Sequence, residues 1–244
     1  LVNMLEAVTL NRNHKNPDLQ LFEFGQVYHR EGDKTRESFN LALVMTGRRF
    51  PESWNNPGDE VSYFELRNML DMFFQRLGLA QRCRFTHEPA DYLAEGQSVL
   101  LDGQNLGYIG RVKGDICARF DIDQAVFFAE LNWSMLLSKV GDGKVKVQPI
   151  PKFPVVRRDF SLLLDTAITF EQIEQLARKT EKKLLRAVEL FDVYEGKNLP
   201  EGKKSYAVRF LLRSDERTLT DEIVDGIMER IRMGLENELG ASLR

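Results

Sequence analysis

Arg158-Asp-Phe-Ser-Leu-Leu-Leu-Asp165 decides the reading of the C-terminal half of the chain. Phe160, Leu162 and Leu164 alternate with Asp159 and Ser161, the period of two expected of a strand buried on one face. Downstream, Thr169-Phe-Glu-Gln172 has the form of a capping box, and Ile173, Leu176, Ala177 and Thr180 carry an amphipathic helix on from it. Val188 to Tyr194 reads as a second strand, with Phe191 and Val193 opposed to Asp192 and Tyr194. Gly196 to Gly202, with Pro200, makes a turn. Lys204 to Leu212 alternates again, with Tyr206, Val208, Phe210 and Leu212 facing one way.

Thr220 caps a second helix, with Asp221 and Glu222 in its first turn, where carboxylates meet the positive end of the helix dipole. Ile223, Ile227, Ile231, Leu235 and Leu239 form its apolar stripe, Gly240 ends it, and Ala241 to Arg244 makes a short last strand. The order β-α-β-β-α-β is the split βαβ, or ferredoxin-like, arrangement. It sets both helices on one face of an antiparallel sheet and leaves the other face open.

Upstream, Val140-Gly-Asp-Gly-Lys144 and then Pro149, Pro151 and Pro154 read as a linker, because glycine loosens the backbone and proline bars a continuing helix. The domains are therefore set at 1–147 and 151–244. The first is expected to be α+β on an antiparallel sheet. A helix runs to about Arg12. Leu19 to Tyr28 and Ser38 to Thr46 pair across a turn near Glu31-Gly-Asp33. Val61 to Leu77 is an amphipathic helix (Phe64, Leu70, Phe73, Leu77) closed by Gly78. Glycine-rich hairpins follow between Ser98 and Val112, then a strand at Ala125 to Leu131. The helix also carries Met69, Met72 and Phe74, more apolar surface than one core-facing stripe needs, which predicts a bare apolar face suited to a partner.

Composition narrows the function classes. The 244 residues are 43% hydrophobic and 29% charged, the balance of a globular protein, with no apolar run near the ~20 residues of a membrane span. Cys83 and Cys117 form no disulfide framework and suit a reducing cytoplasm. Cys83 and His87 are four apart, as on one helix face, but two ligands make no metal site. The net charge is −3, and residues 151–244 carry 17 Lys and Arg against 17 Asp and Glu, so any binding to nucleic acid must rest on local arrangement. The chain opens at Leu1 inside a helix without an initiator methionine, which suggests a piece of a longer protein.

Leu21-Phe-Glu-Phe-Gly-Gln-Val-Tyr-His-Arg-Glu-Gly32 resembles the second signature motif of class II aminoacyl-tRNA synthetases, a strand ending in Phe-Arg-x-Glu. The motif's arginine clamps the carboxylate and α-phosphate as the adenylate forms. Here the motif falls on Tyr28, His29, Arg30 and Glu31, so His29 holds the arginine position and Arg30 would project to the opposite face. A third motif, a glycine-rich strand entering a helix with an ATP-binding arginine, has no match. Gly107-Tyr-Ile-Gly-Arg111 offers glycines, but its arginine follows the last one directly and no helix is expected after it.

Longer stretches carry a closer resemblance. Asn16-Pro-Asp-Leu-Gln-Leu-Phe-Glu-Phe-Gly25, Lys152-Phe-Pro-Val-Val-Arg-Arg-Asp-Phe-Ser161, Leu190-Phe-Asp-Val-Tyr-Glu-Gly196, Leu199-Pro-Glu-Gly-Lys-Lys-Ser205 and Glu216-Arg-Thr-Leu-Thr-Asp221 resemble, in order and spacing, the C-terminal part of bacterial phenylalanyl-tRNA synthetase β subunits. The resemblance implies a catalytically inactive class II synthetase-like domain followed by a ferredoxin-fold anticodon-binding domain. It implies an α subunit partner in an α2β2 assembly, with the working active site, its ATP and its magnesium elsewhere than in this chain. It implies tRNA(Phe) as the second partner, no membrane, and no catalytic residue or metal here. Asp192, Tyr194 and Ser205 match positions that contact anticodon bases. Arg209, Arg213, Lys203, Lys204 and Arg244 are further possible RNA contacts. The rival reading is an amino-acid-sensing regulatory module, which the ferredoxin-like fold alone leaves open.

Overall fold

The structure is a computed structural model that describes residues 1–32, 34–141, 150–196 and 198–244, the side chains at 29, 31, 34 and 36 excepted. The chain divides into two compact units, Leu1–Lys146 and Val147–Arg244. The expected linker and both expected domain edges near it fall largely on residues 142–149, outside the described residues.

In the first unit, helix α1 (Val2–Asn13) precedes a long hairpin of β1 (Leu19–Glu31) and β2 (Lys34–Thr46). The hairpin keeps register from Leu19 opposite Thr46 to Glu31 opposite Lys34, so both strands outrun their sequence-based limits. Its expected tip includes Asp33, outside the described residues. Then come α2 (Tyr63–Arg76), β3 (Cys83–Thr86), β4 (Leu93–Leu101), β5 (Gln104–Val112), α3 (Gly114–Ala118), β6 (Val126–Asn132) and α4 (Trp133–Lys139). The strands form one sheet in the order β1-β2-β6-β5-β4-β3, antiparallel throughout.

Each sheet face buries its own apolar cluster. Leu66, Leu70 and Phe74 of α2 and Leu136 of α4 pack with Met45, Ile109, Phe127 and Leu131. Met4, Leu5 and Val8 of α1 pack with Leu19, Val44, Phe128 and Val112. The start of α2 is fixed by a capping box that sequence reasoning missed: the Ser62 hydroxyl accepts from the Phe64 amide, and the Ser62 amide donates to Glu65 Oε2 at 2.7 Å. With that start the inward stripe is Leu66, Leu70 and Phe74, and Phe64 is 75% exposed. Apolar residues surround this helix, so tertiary packing rather than sequence chose the face.

The surplus apolar surface lies mainly elsewhere than predicted. Phe22 (68% exposed), Phe24 and Phe39 stand on one side of the β1–β2 hairpin, with Phe24 and Phe39 centroids 6.1 Å apart and Phe24 4.8 Å from Trp133. This contiguous aromatic patch replaces the bare helix face expected of Met69, Met72 and Phe74, of which only Met72 is exposed.

The second unit contains β7 (Val156–Asp165), α5 (Phe170–Thr180), β8 (Leu185–Tyr194), β9 (Lys203–Leu212), α6 (Asp221–Leu239) and β10 (Ser242–Leu243). The sheet order β10-β7-β9-β8, antiparallel at every pairing, is the ferredoxin-like topology the strand pattern predicted. Ile173, Leu176 and Ala177 of α5 and Val224, Ile227, Met228, Ile231 and Leu235 of α6 pack on Leu162, Leu164, Tyr206, Val208, Phe210 and Leu212. Both helices thus cover one face. The capping box at Thr169 and Gln172 forms as read. Thr220 stands at the N-cap of α6, but its hydroxyl makes no cap bond; instead Arg158 of β7 reaches Asp221 at 2.9 Å.

Gly107 tests the first unit. A Cβ there would fall on the backbone carbonyl of Glu130 on β6, so β5 and β6 can pair at this point only over a glycine. Gly107→Ala should cost about 3 kcal/mol, an overpacking penalty. Gly114→Ala, in open space at the start of α3, should stay within about 0.5 kcal/mol of the parent. Urea unfolding followed by tryptophan fluorescence reports on this unit, since both tryptophans (Trp54 and Trp133) lie in it. Equal stability of the two variants would contradict the β5–β6 register.

Candidate functional site

The open face of the second sheet is set by an irregularity in β8. Val188 and Leu190 pair with Phe210 and Val208, which belong to the helix-covered face. Regular alternation from Leu190 would turn Asp192 and Tyr194 under the helices. The register shifts between Leu190 and Asp192, however, and beyond it Asp192 pairs with Ala207 and Tyr194 with Ser205, both on the open face. Phe191 is the extra residue of this bulge. Its ring lies under the Arg209 guanidinium, 4.7 Å from carbon to centroid, and Arg209 also belongs to the open face. Phe191 and Asp192 therefore share the open side, which corrects the expectation that they oppose one another. Two residues facing one partner is how a bulge re-aims side chains.

Ser161, Asp192, Tyr194, Asn198, Ser205, Ala207 and Arg244 line a shallow recess of about 380 Å³ on this face. Ser205 is buried in the middle strand, and the small Ala207 beside it leaves depth between the flanking strands. Tyr194 is 39% exposed. Its ring lies over the backbone at Gly196, where a Cβ would come within 2.6 Å of the ring carbon bearing the hydroxyl. Any larger residue there would displace the ring. The Arg244 amide donates to the Ser161 carbonyl at 2.9 Å, which tethers the chain's last residue to the rim. Among the described residues Asp192 has no ion-pair or hydrogen-bond partner, so its carboxylate is available as an acceptor. The recess thus offers a ring, a carboxylate, a hydroxyl and an amide, a set able to stack a flat heterocycle and bond its edge.

Of the residues expected at the site, Asp192, Tyr194, Ser205 and Arg244 come together. The remaining cations do not join them. Arg209 makes a bidentate pair with Asp159, Nε and Nη2 at 3.0 and 3.1 Å, and this bonding pushes its pKa above the ordinary arginine value. Arg213 lies just past β9, where it reaches Asp215 at 3.3 Å and its amide bonds Leu184. Lys203 lies 4.0 Å from Asp165. Lys204 is buried on the helix side, its ammonium 4.6 Å over the Tyr206 ring, which removes it from any RNA-facing role. The alternation was already decisive there, since Lys204 shares the parity of Tyr206 and Val208. Asn198 and Ala207 were missed; Ala207 carries a signal, being the one small residue between two open-face polar positions of β9.

In the first unit, Tyr28 is exposed and donates to Gln26 at 3.0 Å, while the side chains of His29 and Glu31 are outside the described residues. Arg30 is exposed and its Nε donates to the Gly32 carbonyl. Gly107 to Arg111 lies within β5, and the short α3 does follow it, contrary to expectation. Arg111 is held by Glu95 at 3.1 Å. The strand that runs directly into a helix is β6 into α4, which contains neither glycine nor arginine. Cys83 and His87 share no helix: Cys83 begins β3, and burial pushes its thiol up to about 11. Among the described residues, no group of three or more His, Cys, Asp or Glu could hold a metal ion, and no helix is long and apolar enough to cross a membrane.

Residues 1–133 match the family described as the phenylalanyl tRNA synthetase beta chain CLM domain, and residues 151–244 match the ferredoxin-fold anticodon binding domain. The chain belongs to the phenylalanyl-tRNA synthetase β-chain family. It is 43% identical over 252 residues to the phenylalanine–tRNA ligase beta subunit of Porphyromonas gingivalis, covering 98% of this chain and 31% of that protein. The corresponding subunit of Bacteroides thetaiotaomicron is 41% identical over 98% of this chain and 31% of its own length. That of Syntrophotalea carbinolica is 35% identical over 99% of this chain and 30% of its own. The chain spans about a third of the length of these relatives.

Proposed function

We propose that residues 151–244 bind the anticodon of tRNA(Phe) on the open sheet face, within a phenylalanine–tRNA ligase whose chemistry resides in another subunit. The observation that carries the reading is the recess that gathers Tyr194, Asp192 and Ser205 where the β-chain family has its anticodon-binding domain. Tyr194 stacks on a base; Asp192 accepts from base amino or imino groups, which a phosphate lacks; Ser205 bonds a base edge from the middle strand. Arg244 is the cation of the recess, and the ion-paired Arg209 and Arg213 are not free phosphate hooks. A regulatory module that senses amino acids would hold its ligand in a pocket between helix and loop, whereas this recess opens on bare sheet.

Residues 1–147 are the idle counterpart of a class II catalytic domain, placed beside the α subunit of an α2β2 ligase. His29 at the clamp position and a β6–α4 junction without glycine or arginine supply no means to stabilise an adenylate. The aromatic patch of Phe22, Phe24 and Phe39 suits a protein neighbour. The parent enzyme uses ATP and magnesium elsewhere than in this chain, and the assembly works in the cytoplasm.

Two experiments test this function. The purified chain, free of α subunit, should give no phenylalanine-dependent ATP–pyrophosphate exchange; robust exchange would overturn the idle domain. Tyr194→Ala should weaken binding of a phenylalanine-type anticodon stem-loop roughly ten- to a hundredfold, as befits base stacking of ~1–3 kcal/mol. Asp192→Ala should cost less affinity and more discrimination between matched and mismatched loops. Parental binding by Tyr194→Ala would remove the recess from the reading surface.

A further inference from the structure

We propose that Phe191 and Arg209 form a second base-stacking subsite beside the Tyr194 recess, so that the sheet holds two unpaired bases of one loop; this rests on the anticodon reading above. The bulge places Phe191 and Tyr194 on the same face of β8, three residues or about 10 Å apart along the strand. Phe191 is 50% exposed, a large apolar ring on the open face beside Arg209.

Its partner is immobilised. Asp159 on β7 accepts from both Nε and Nη2 of Arg209, a fork-to-carboxylate pairing that orients the guanidinium. The guanidinium carbon lies 4.7 Å from the centroid of the Phe191 ring. Three strands thus meet in one cluster: the carboxylate comes from β7, the guanidinium from β9 and the ring from β8. Aromatic rings and guanidinium planes are the two surfaces on which proteins stack unpaired bases, and open sheets of this kind hold two or three bases in a row. Glu189 lies opposite Arg209 on β8, so the neighbourhood carries two carboxylates to one guanidinium. That balance disfavours phosphate and favours the flat faces and amino edges of bases. The role assigned here to Arg209 is therefore positional and stacking, in contrast to a nonspecific phosphate contact.

The test uses the full chain and a phenylalanine-type anticodon stem-loop carrying 2-aminopurine at each loop adenine in turn, whose fluorescence rises when stacking is lost. Phe191→Ala should weaken binding roughly tenfold or more and raise the signal at one position. Tyr194→Ala should leave that position quenched. Arg209→Lys keeps the charge and loses the fork and plane, and should reproduce the Phe191→Ala pattern. Phe191→Tyr keeps a ring and should bind as the parent. Unchanged circular-dichroism melts certify the fold of each variant. If Phe191→Ala and Arg209→Lys bind as tightly as the parent with every position quenched while Tyr194→Ala is impaired, the second subsite is wrong and the anticodon reading stands. If the parent itself does not bind the stem-loop, both fall.

Discussion

Between Leu190 and Asp192, β8 carries one residue more than β9 can pair, and the arrangement of the candidate site follows from that excess. A strand turns its side chains over at each step, so an inserted residue inverts everything beyond it. On the N-terminal side of the bulge, Val188 and Leu190 serve the helix-covered core. On the C-terminal side, Asp192 and Tyr194 face outward. The strand thereby anchors one half of itself in the core and presents the other half as a surface, and Phe191, at the junction, joins that surface.

This geometry bears on how a chain of net charge −3 could bind RNA as proposed. With balanced charge in residues 151–244, and with Arg209, Arg213 and Lys203 near carboxylates, the open face lacks the field that draws nucleic acid nonspecifically. Under the proposed reading, affinity comes from stacked rings and satisfied base edges, which reward a particular loop sequence more than phosphate contacts do. The ion pairs hold side chains in register. Their exposure makes them minor contributors to stability.

The sequence made the ferredoxin-like order legible because its strands bury one face and its helices begin and end on recognisable caps. Asp192, Tyr194 and Ser205 were legible through resemblance. Their common face came from setting parity on residues 191–194 alone, a choice that carried Phe191 to the wrong side. Alternation cannot reveal a bulge, because the extra residue is defined by the partner strand. Lys204 misled as a lysine among lysines in Lys203-Lys204-Ser205, although its parity with Tyr206 marked it as inward. In the first unit, α2 is apolar over too much of its circumference for one face to be read, and only packing against β5 and β6 selects Leu66, Leu70 and Phe74.

The two units carry complementary signs of their proposed roles. The first, proposed to be an idle synthetase-like domain, exposes aromatic surface on its edge hairpin. The second packs two helices on one face of its sheet and leaves Asp192, Tyr194 and Ser205 on the other. The central claim, that bases are read on this open face, is most directly tested by following backbone amide resonances of the isotopically labelled full chain during titration with a phenylalanine-type anticodon stem-loop. The account predicts shifts centred on Phe191 to Tyr194, Ser205 to Arg209, Asn198 and Arg244, with the outer faces of α5 and α6 undisturbed. Shifts centred on those helices, with the sheet face silent, would contradict it.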